Sequence, residues 1–397
     1  MATKQMLKLA ALAASSVLVI AGCSSNTAEP TDTSGVPNVP MATEVGDGEG
    51  ELNIVVWAGY AEDGSTDPAV DWVSAFEDST GCQVNVKIGN TSDEMVTLMK
   101  SGQYDGVSAS GDATLRLIYG GDVAPVNTDL VPNYATVADF LKDRDWNSVG
   151  GQMYGVPHGW GANILMYNTA EVSPAPTSWS AVFEADSPYA GKITAYDSPI
   201  YIADAALYLK SAQPDLGITD PYALDETQFQ AAVDLLKQQK DMIGSYWAAY
   251  TDEVASFGQA SNVIGTAWQI NANLINGEGK VAVEGVVPSE GATGWSDTWM
   301  IAANAAHPNC MYKWMDWIVS PEVNAQVAEW FGEAPAQTKS CDFTVDKTFC
   351  DTYHALDADY AAQISYWTTP LAECLDGRGA ICKDYAAWTQ AWTEIKG

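Results

Sequence analysis

Trp295 and Asp297 stand two residues apart in the stretch GWSDTWMIA, Gly294 to Ala302. In extended chain, alternate side chains point to the same side, so the indole and the carboxylate would share a face. Such a pair has two uses. It closes a structural hydrogen bond, or it seats a cation between a ring and a counter-charge. An aromatic face attracts a cation by about 0.5–2 kcal/mol. A desolvated ammonium also needs a carboxylate, because burying it unpaired costs on the order of several kcal/mol. Other chemistry is thinly represented. The three histidines, His158, His307 and His354, lie outside any G-x-S-x-G or H-E-x-x-H context, so a hydrolase is disfavoured. No Cys-x-x-Cys pair exists, which argues against a zinc site. The expectation is a binding protein, not an enzyme, with no cofactor and no metal.

The elements that must position these residues are readable in outline. ELNIVVWAGY is an apolar burst that reads as a buried strand, and CQVNVKIG alternates as another. Between them, DPAVDWVSAFEDSTG has helical spacing, with Asp67-Pro68 as its start and Gly81 as its stop. SDEMVTLMKSG reads as a second helix, and YDGVSAS as a third strand. Strand–helix alternation of this kind predicts a parallel sheet with crossover helices. Farther on, YGVPHGWGANILMYN is an extended run carrying two glycines, GKITAYDSP and NVIGTAWQI are strands, and ETQFQAAVDLLKQQKD is an amphipathic helix. NCMYKWMDWIVSPEVNAQVAEWFG reads as two helices split near Ser320-Pro321.

The chain has 397 residues and a formal charge of −33, from 51 acids against 18 bases. Its length suits two compact lobes. Its charge repels nucleic acid. Lys4 and Lys8 precede the short apolar run LAALAASSVLVIAG, the layout of a signal peptide over residues 1–22. The run ends in Ile20-Ala21-Gly22-Cys23, which is similar to a lipoprotein processing site and implies a lipid on Cys23. That places the protein outside the cytoplasm, held to a membrane by its anchor. Residues 23–50 read as the lipidated cysteine and a disordered tether. The six remaining cysteines suggest three disulfides in an exported chain. They allow 15 pairings, and sequence does not choose among them. Close spacing favours Cys341–Cys350 and Cys374–Cys382, which leaves Cys82 with Cys310.

Several segments occur in a telling order: ELNIVVWAGY, YDGVSAS, YGVPHGWGANILMYN, VIGTAW, VVPSEGATGWSDTWMIA and SPEVNAQVAEWFGEAPAQ. Together they resemble the periplasmic spermidine/putrescine-binding proteins of ABC importers, over roughly residues 51 to 370. The resemblance implies an α/β, two-lobed periplasmic-binding-protein fold of type II-like character. Each lobe would be a mixed sheet flanked by helices, with the ligand cleft between them. Lobe one would hold 51–167 and 298–340, and lobe two 168–297 and 341–397. The implied function is capture of a polyamine or related organic cation and delivery to ABC permease subunits, by a monomer. Another small solute on the same fold, such as a quaternary amine, an amino-acid-like compound or ferric ion, is the alternative.

Carried over position by position, the resemblance implies a site. Trp57 and Tyr60 match aromatic positions after the first strand, with Ala58-Gly59 between them where the family has Thr-Glu. Ser110 matches a serine, while the family's tyrosine two residues on becomes Asp112, a helix cap or a ligand contact. Trp268, Trp295 and Asp297 match a cleft tryptophan and a cleft Trp-x-Asp. The family's second carboxylate pair falls on Ser198 and Tyr201, with Asp197 one residue away. A family tyrosine falls on Glu333, and a late glutamine near Thr368, just after Trp367. Glu333 and Asp112 are candidates to replace the lost carboxylates, which would suit a different amine; a quaternary or single-headed amine needs fewer carboxylates and more aromatic wall. Trp160 either adds to the aromatic wall or packs the crossover.

Overall fold

The structure, a computed structural model, describes residues 35–397. The leader and Cys23 lie outside the described residues. Fourteen strands follow one another: β1 (Glu51–Val56), β2 (Gln83–Ile88), β3 (Gly106–Ala109), β4 (Ser148–Val149), β5 (Gln152–Met153), β6 (Val156–Ala162), β7 (Ile164–Asn168), β8 (Ile193–Tyr196), β9 (Ile243–Trp247), β10 (Ile264–Ala267), β11 (Val283–Val286), β12 (Ala292–Ile301), β13 (Ala334–Pro335) and β14 (Ile364–Tyr366). They form a seven-stranded sheet in the order β13-β6-β12-β3-β1-β2, with β14 also on β12. A second sheet has five strands, β11-β7-β10-β8-β9, and β4 and β5 make a hairpin.

Each sheet mixes directions. β1 pairs in parallel with β2 and β3, as crossover helices require. β12 runs antiparallel to β3 and β6. In the second sheet β10 is parallel to β8 but antiparallel to β7. The result is the mixed α/β, two-lobed architecture expected from the resemblance.

The first crossover helix is shorter than its periodicity suggests. It spans Val73–Thr80 and stops at Gly81, whose φ of 72° is left-handed. Asp67 instead closes a turn, accepting from the Ala69 N–H at 2.9 Å. Asp71, one residue before the N-cap Trp72, accepts from Ser74 N–H of the first turn through its Oδ1. Asp-Pro starts turns as readily as helices, and only the later carboxylate reaches a free helical N–H. The second helix, Ser92–Lys100, is capped by Thr91. The long run Pro308–Phe331 divides at Ser320-Pro321 into Pro308–Ile318 and Pro321–Phe331.

The extended run 154–168 also divides. Its first part is β6 in the seven-stranded sheet and its second is β7 in the five-stranded sheet, so the chain passes between sheets at Asn163. It returns before Ala292, and all of β12 lies in the seven-stranded sheet. Ahead of β1, Glu49 accepts from the N–H groups of Asn309 and Cys310. Val39, Ala42 and Val45 pack against the core beside the first sheet. Disulfides join Cys82 to Cys310, Cys341 to Cys350 and Cys374 to Cys382. The first ties the residue just before β2 to the helix Pro308–Ile318, 228 residues away. No helix among the described residues is long and apolar enough to cross a membrane.

Candidate functional site

On β12, Trp295 faces Gly161 and Asp297 faces Gly159 of the neighbouring β6. Both glycines are needed for space. A Cβ on Gly161 would stand 2.8 Å from the Trp295 indole, and one on Gly159 would overlap the Glu333 carboxyl. The period-two spacing of HGWGA thus opens room on the same face that Trp295 and Asp297 occupy. Glu333 reaches that face from the turn between helix Pro321–Phe331 and β13, where Gly332 takes a left-handed φ of 87°.

Four of the expected residues meet there. Tyr60 Oη lies 2.7 Å from Asp297 Oδ2 and 2.6 Å from Glu333 Oε2. Ser110 Oγ donates to Asp297 Oδ1. His158, on β6, completes the group with Nδ1 at 3.2 Å from Glu333 Oε1. All five side chains are buried. Among the described residues, no lysine or arginine pairs with either carboxylate, and His158 is the one basic group within ion-pair distance.

Such burial favours neutral forms. It pushes Asp297 up to about 6, offset in part by the Ser110 and Tyr60 hydrogen bonds. It raises Glu333 well above the ordinary carboxyl range, with the Asp297 charge adding to the effect. It lowers His158 to about 3. The cluster is therefore electron-rich and short of cations.

Aromatic rings flank it. Trp160, Trp268, Trp295, Tyr353 and Tyr360 line a cavity together with Glu333. The space between them is about 20 Å³, enough for a water molecule and too small for an organic cation. The rings therefore fill most of the space beside Glu333. Trp295 meets Trp268 edge to face at 6.3 Å and Phe331 at 6.2 Å. Behind Trp268, Tyr196 packs at 5.6 Å and stacks on Trp367 at 5.6 Å.

A hydrogen-bonded chain fixes Trp268. Its Nε1 donates to Asn163 Oδ1 at 2.9 Å, Asn163 Nδ2 donates to Thr293 Oγ1 at 2.7 Å, and Thr293 donates to Asp204 at 2.9 Å. Burial pushes Asp204 up to about 7. The chain passes through Asn163, the residue between the two sheets, so wall and crossover are mechanically joined.

The other expected residues lie elsewhere. Trp57 packs between the cores on the two faces of the first sheet. Asp112, in the first turn of helix Gly111–Gly120, accepts from Ser92 Oγ at 2.9 Å, and burial lifts it to about 6. Trp367 stacks on Tyr196 and is absent from the cavity lining. Asp197 accepts from Trp392 Nε1 at 3.0 Å and pairs with Lys396 at 2.7 Å. Ser198 caps the short turn that follows it, and Tyr201 accepts from Gln239 at 3.0 Å inside the core. Sequence reasoning passed over His158, Tyr196, Tyr353 and Tyr360. The paired glycines around Trp160 were the one signal pointing to His158, its neighbour on β6.

The comparisons with known proteins agree with this architecture. A family model described as bacterial extracellular solute-binding protein matches residues 71–352. The putrescine/agmatine-binding protein of Pseudomonas aeruginosa is 25% identical over 277 residues, 65% of this chain and 72% of that protein. The spermidine/putrescine-binding periplasmic protein of Escherichia coli K12 is 23% identical over 295 residues, 71% of this chain and 81% of its own. Among solved structures, the spermidine/putrescine ABC transporter substrate-binding protein PotD of Streptococcus pneumoniae aligns with a TM-score of 0.66 at 18% identity, covering 87% of this chain and 97% of that one. With its two mixed sheets and the match across most of its length, the chain belongs to the bacterial extracellular solute-binding protein family.

Proposed function

We propose that this protein captures a polyamine or a related organic cation in the aromatic, acidic cleft and delivers it to the permease of an ABC importer. The observation that carries the proposal is that Glu333 lines a cavity with Trp160, Trp268 and Trp295, that Tyr60 joins it to Asp297 just beyond the lining, and that no lysine or arginine pairs with either acid among the described residues. Two desolvated carboxylates that lack a fixed counter-ion are suited to one that arrives with the ligand. The rings cover the methylenes and add cation–π attraction of about 0.5–2 kcal/mol per contact. Asp197 is held by Lys396 and Trp392, which favours a ligand with one firmly anchored head over a diamine gripped at both ends. A lipid on Cys23 would hold the protein at the membrane beside its permease.

A thermal-shift panel of putrescine, spermidine, agmatine, choline and amino acids tests the function. Ligands that bind only the folded form raise its melting temperature. A concentration-dependent rise with at least one amine, and none with uncharged analogues, is expected. No shift with any amine would remove the cation from the account.

A further inference from the structure

Tyr60 Oη sits between two carboxylate oxygens, Asp297 Oδ2 at 2.7 Å and Glu333 Oε2 at 2.6 Å. Oxygens this close share a hydrogen; without one, their lone pairs repel. Two such contacts need two hydrogens, and a phenol has one. Ser110 spends its own on Asp297 Oδ1. The second hydrogen therefore belongs to a carboxyl group.

We propose that a cationic head entering between Asp297 and Glu333 displaces this proton, so that capture of one positive charge releases one proton to solvent. The inference rests on the cation-binding function proposed above. In the ligand-free cluster Glu333 is a carboxylic acid that donates to Tyr60 Oη, while Tyr60 donates to the Asp297 carboxylate. When the ammonium arrives, the Glu333 O–H bond breaks, its proton passes to buffer, and the carboxylate accepts from or pairs with the cation. The net charge of the occupied cluster equals that of the free one.

The surroundings support this exchange. Glu333 Oε1 has no hydrogen-bond partner, although the residue is 1% exposed and lines the cavity. His158 Nδ1 stands 3.2 Å from Glu333 Oε1 without hydrogen-bond geometry, and burial lowers the imidazole to about 3, so the ring stays neutral and the proton stays on the acid. The other titratable groups turned toward the pair are Asp112 beyond Ser110, whose charge disfavours ionised Asp297, and Tyr353 and Tyr196, whose own titration feels Glu333 and Asp297 respectively. None brings a positive charge. Burial first, and the Asp297 charge second, raise Glu333 far above the ordinary carboxyl range. At neutral pH the free pair holds one proton.

Calorimetric titration of the whole mature protein with putrescine, agmatine and choline tests this at pH 7 in phosphate and in Tris. These buffers differ in ionisation enthalpy. The expected result is a binding heat that depends on the buffer and corresponds to about one proton released, with affinity rising up to tenfold per pH unit from pH 6 to 8. Glu333→Gln, which holds no exchangeable acid, should bring the release close to zero. The wild-type pH series stands without that variant should it fold poorly. Binding with equal heats in both buffers and a flat pH dependence would overturn proton exchange and leave the cation function standing. Absence of binding by all three amines would overturn both.

Discussion

At the scale of single residues, the site depends on what is missing as much as on what is present. Gly159 and Gly161 leave the volume that Glu333 and Trp295 fill. Gly159→Ala puts a methyl group into the Glu333 carboxyl, the flexible end of a side chain that can swing away. Folding should survive, since alanine in a strand is slightly better than glycine. Calorimetry should show amine affinity down at least tenfold, because dislodging one partner of a buried charged contact costs about 2–5 kcal/mol. The melting temperature should stay within a few degrees of wild type. Unchanged affinity would place the cation away from Glu333.

At the scale of elements, a buried acid links the packing of the five-stranded sheet to pH. Glu253, in helix Tyr250–Gly258, accepts from Thr194 Oγ1 of β8 at 2.7 Å. Burial pushes it up from 4.5 to about 8. A raised acid favours folding most below its unfolded value near 4.5, and that contribution is lost as pH rises through about 8. Glu253→Gln keeps an acceptor for Thr194 and removes the titration. Thermal unfolding between pH 4 and 9 should show the variant gaining on wild type as pH rises, by on the order of several kcal/mol at the alkaline end. Parallel pH curves for the two proteins would contradict this.

Much of the element order was legible, because alternation and glycine stops are local signals. The start of the first helix was not, since Asp67-Pro68 fits a turn equally well and the carboxylate that accepts from the first helical turn, Asp71, lies four residues on. Nor could periodicity reveal that one extended run, 154–168, serves two sheets. The site was legible where a motif carried it, as in Trp295 and Asp297. The meeting of Tyr60 with Glu333 spans 273 residues, and no local pattern encodes it. His158 was passed over for the same reason: its role comes from Glu333, which arrives from a distant turn.

At the scale of the molecule, a formal charge of −33 surrounds the cleft proposed for a cation. Like-signed surface charge raises the local concentration of opposite ions and speeds their encounter. Salt screens this over a Debye length of about 10 Å at 0.1 M, while contacts inside the occupied cleft are shielded from it. Stopped-flow tryptophan fluorescence, reporting on Trp160, Trp268 and Trp295, should show the amine on-rate falling several-fold from 10 mM to 500 mM salt. The off-rate should change little. Equal sensitivity of both rates would mean that the anchoring charges remain exposed to solvent after binding. The 20 Å³ left in the cavity is too small for an amine, so the rings that line it must move before one enters.

Asp297 is the residue proposed to anchor the cationic head. The direct measurement is calorimetric titration of wild type and Asp297→Asn with the amine that most stabilises the wild-type protein, alongside melting curves for both. Asparagine keeps an acceptor for Ser110 and Tyr60 and removes the charge. The expected result is a loss of affinity of about thirtyfold or more, 2 kcal/mol upward, in a protein that still melts cooperatively. Equal affinity in a folded variant would contradict it, and Trp295 and Asp297 would then be a structural pair.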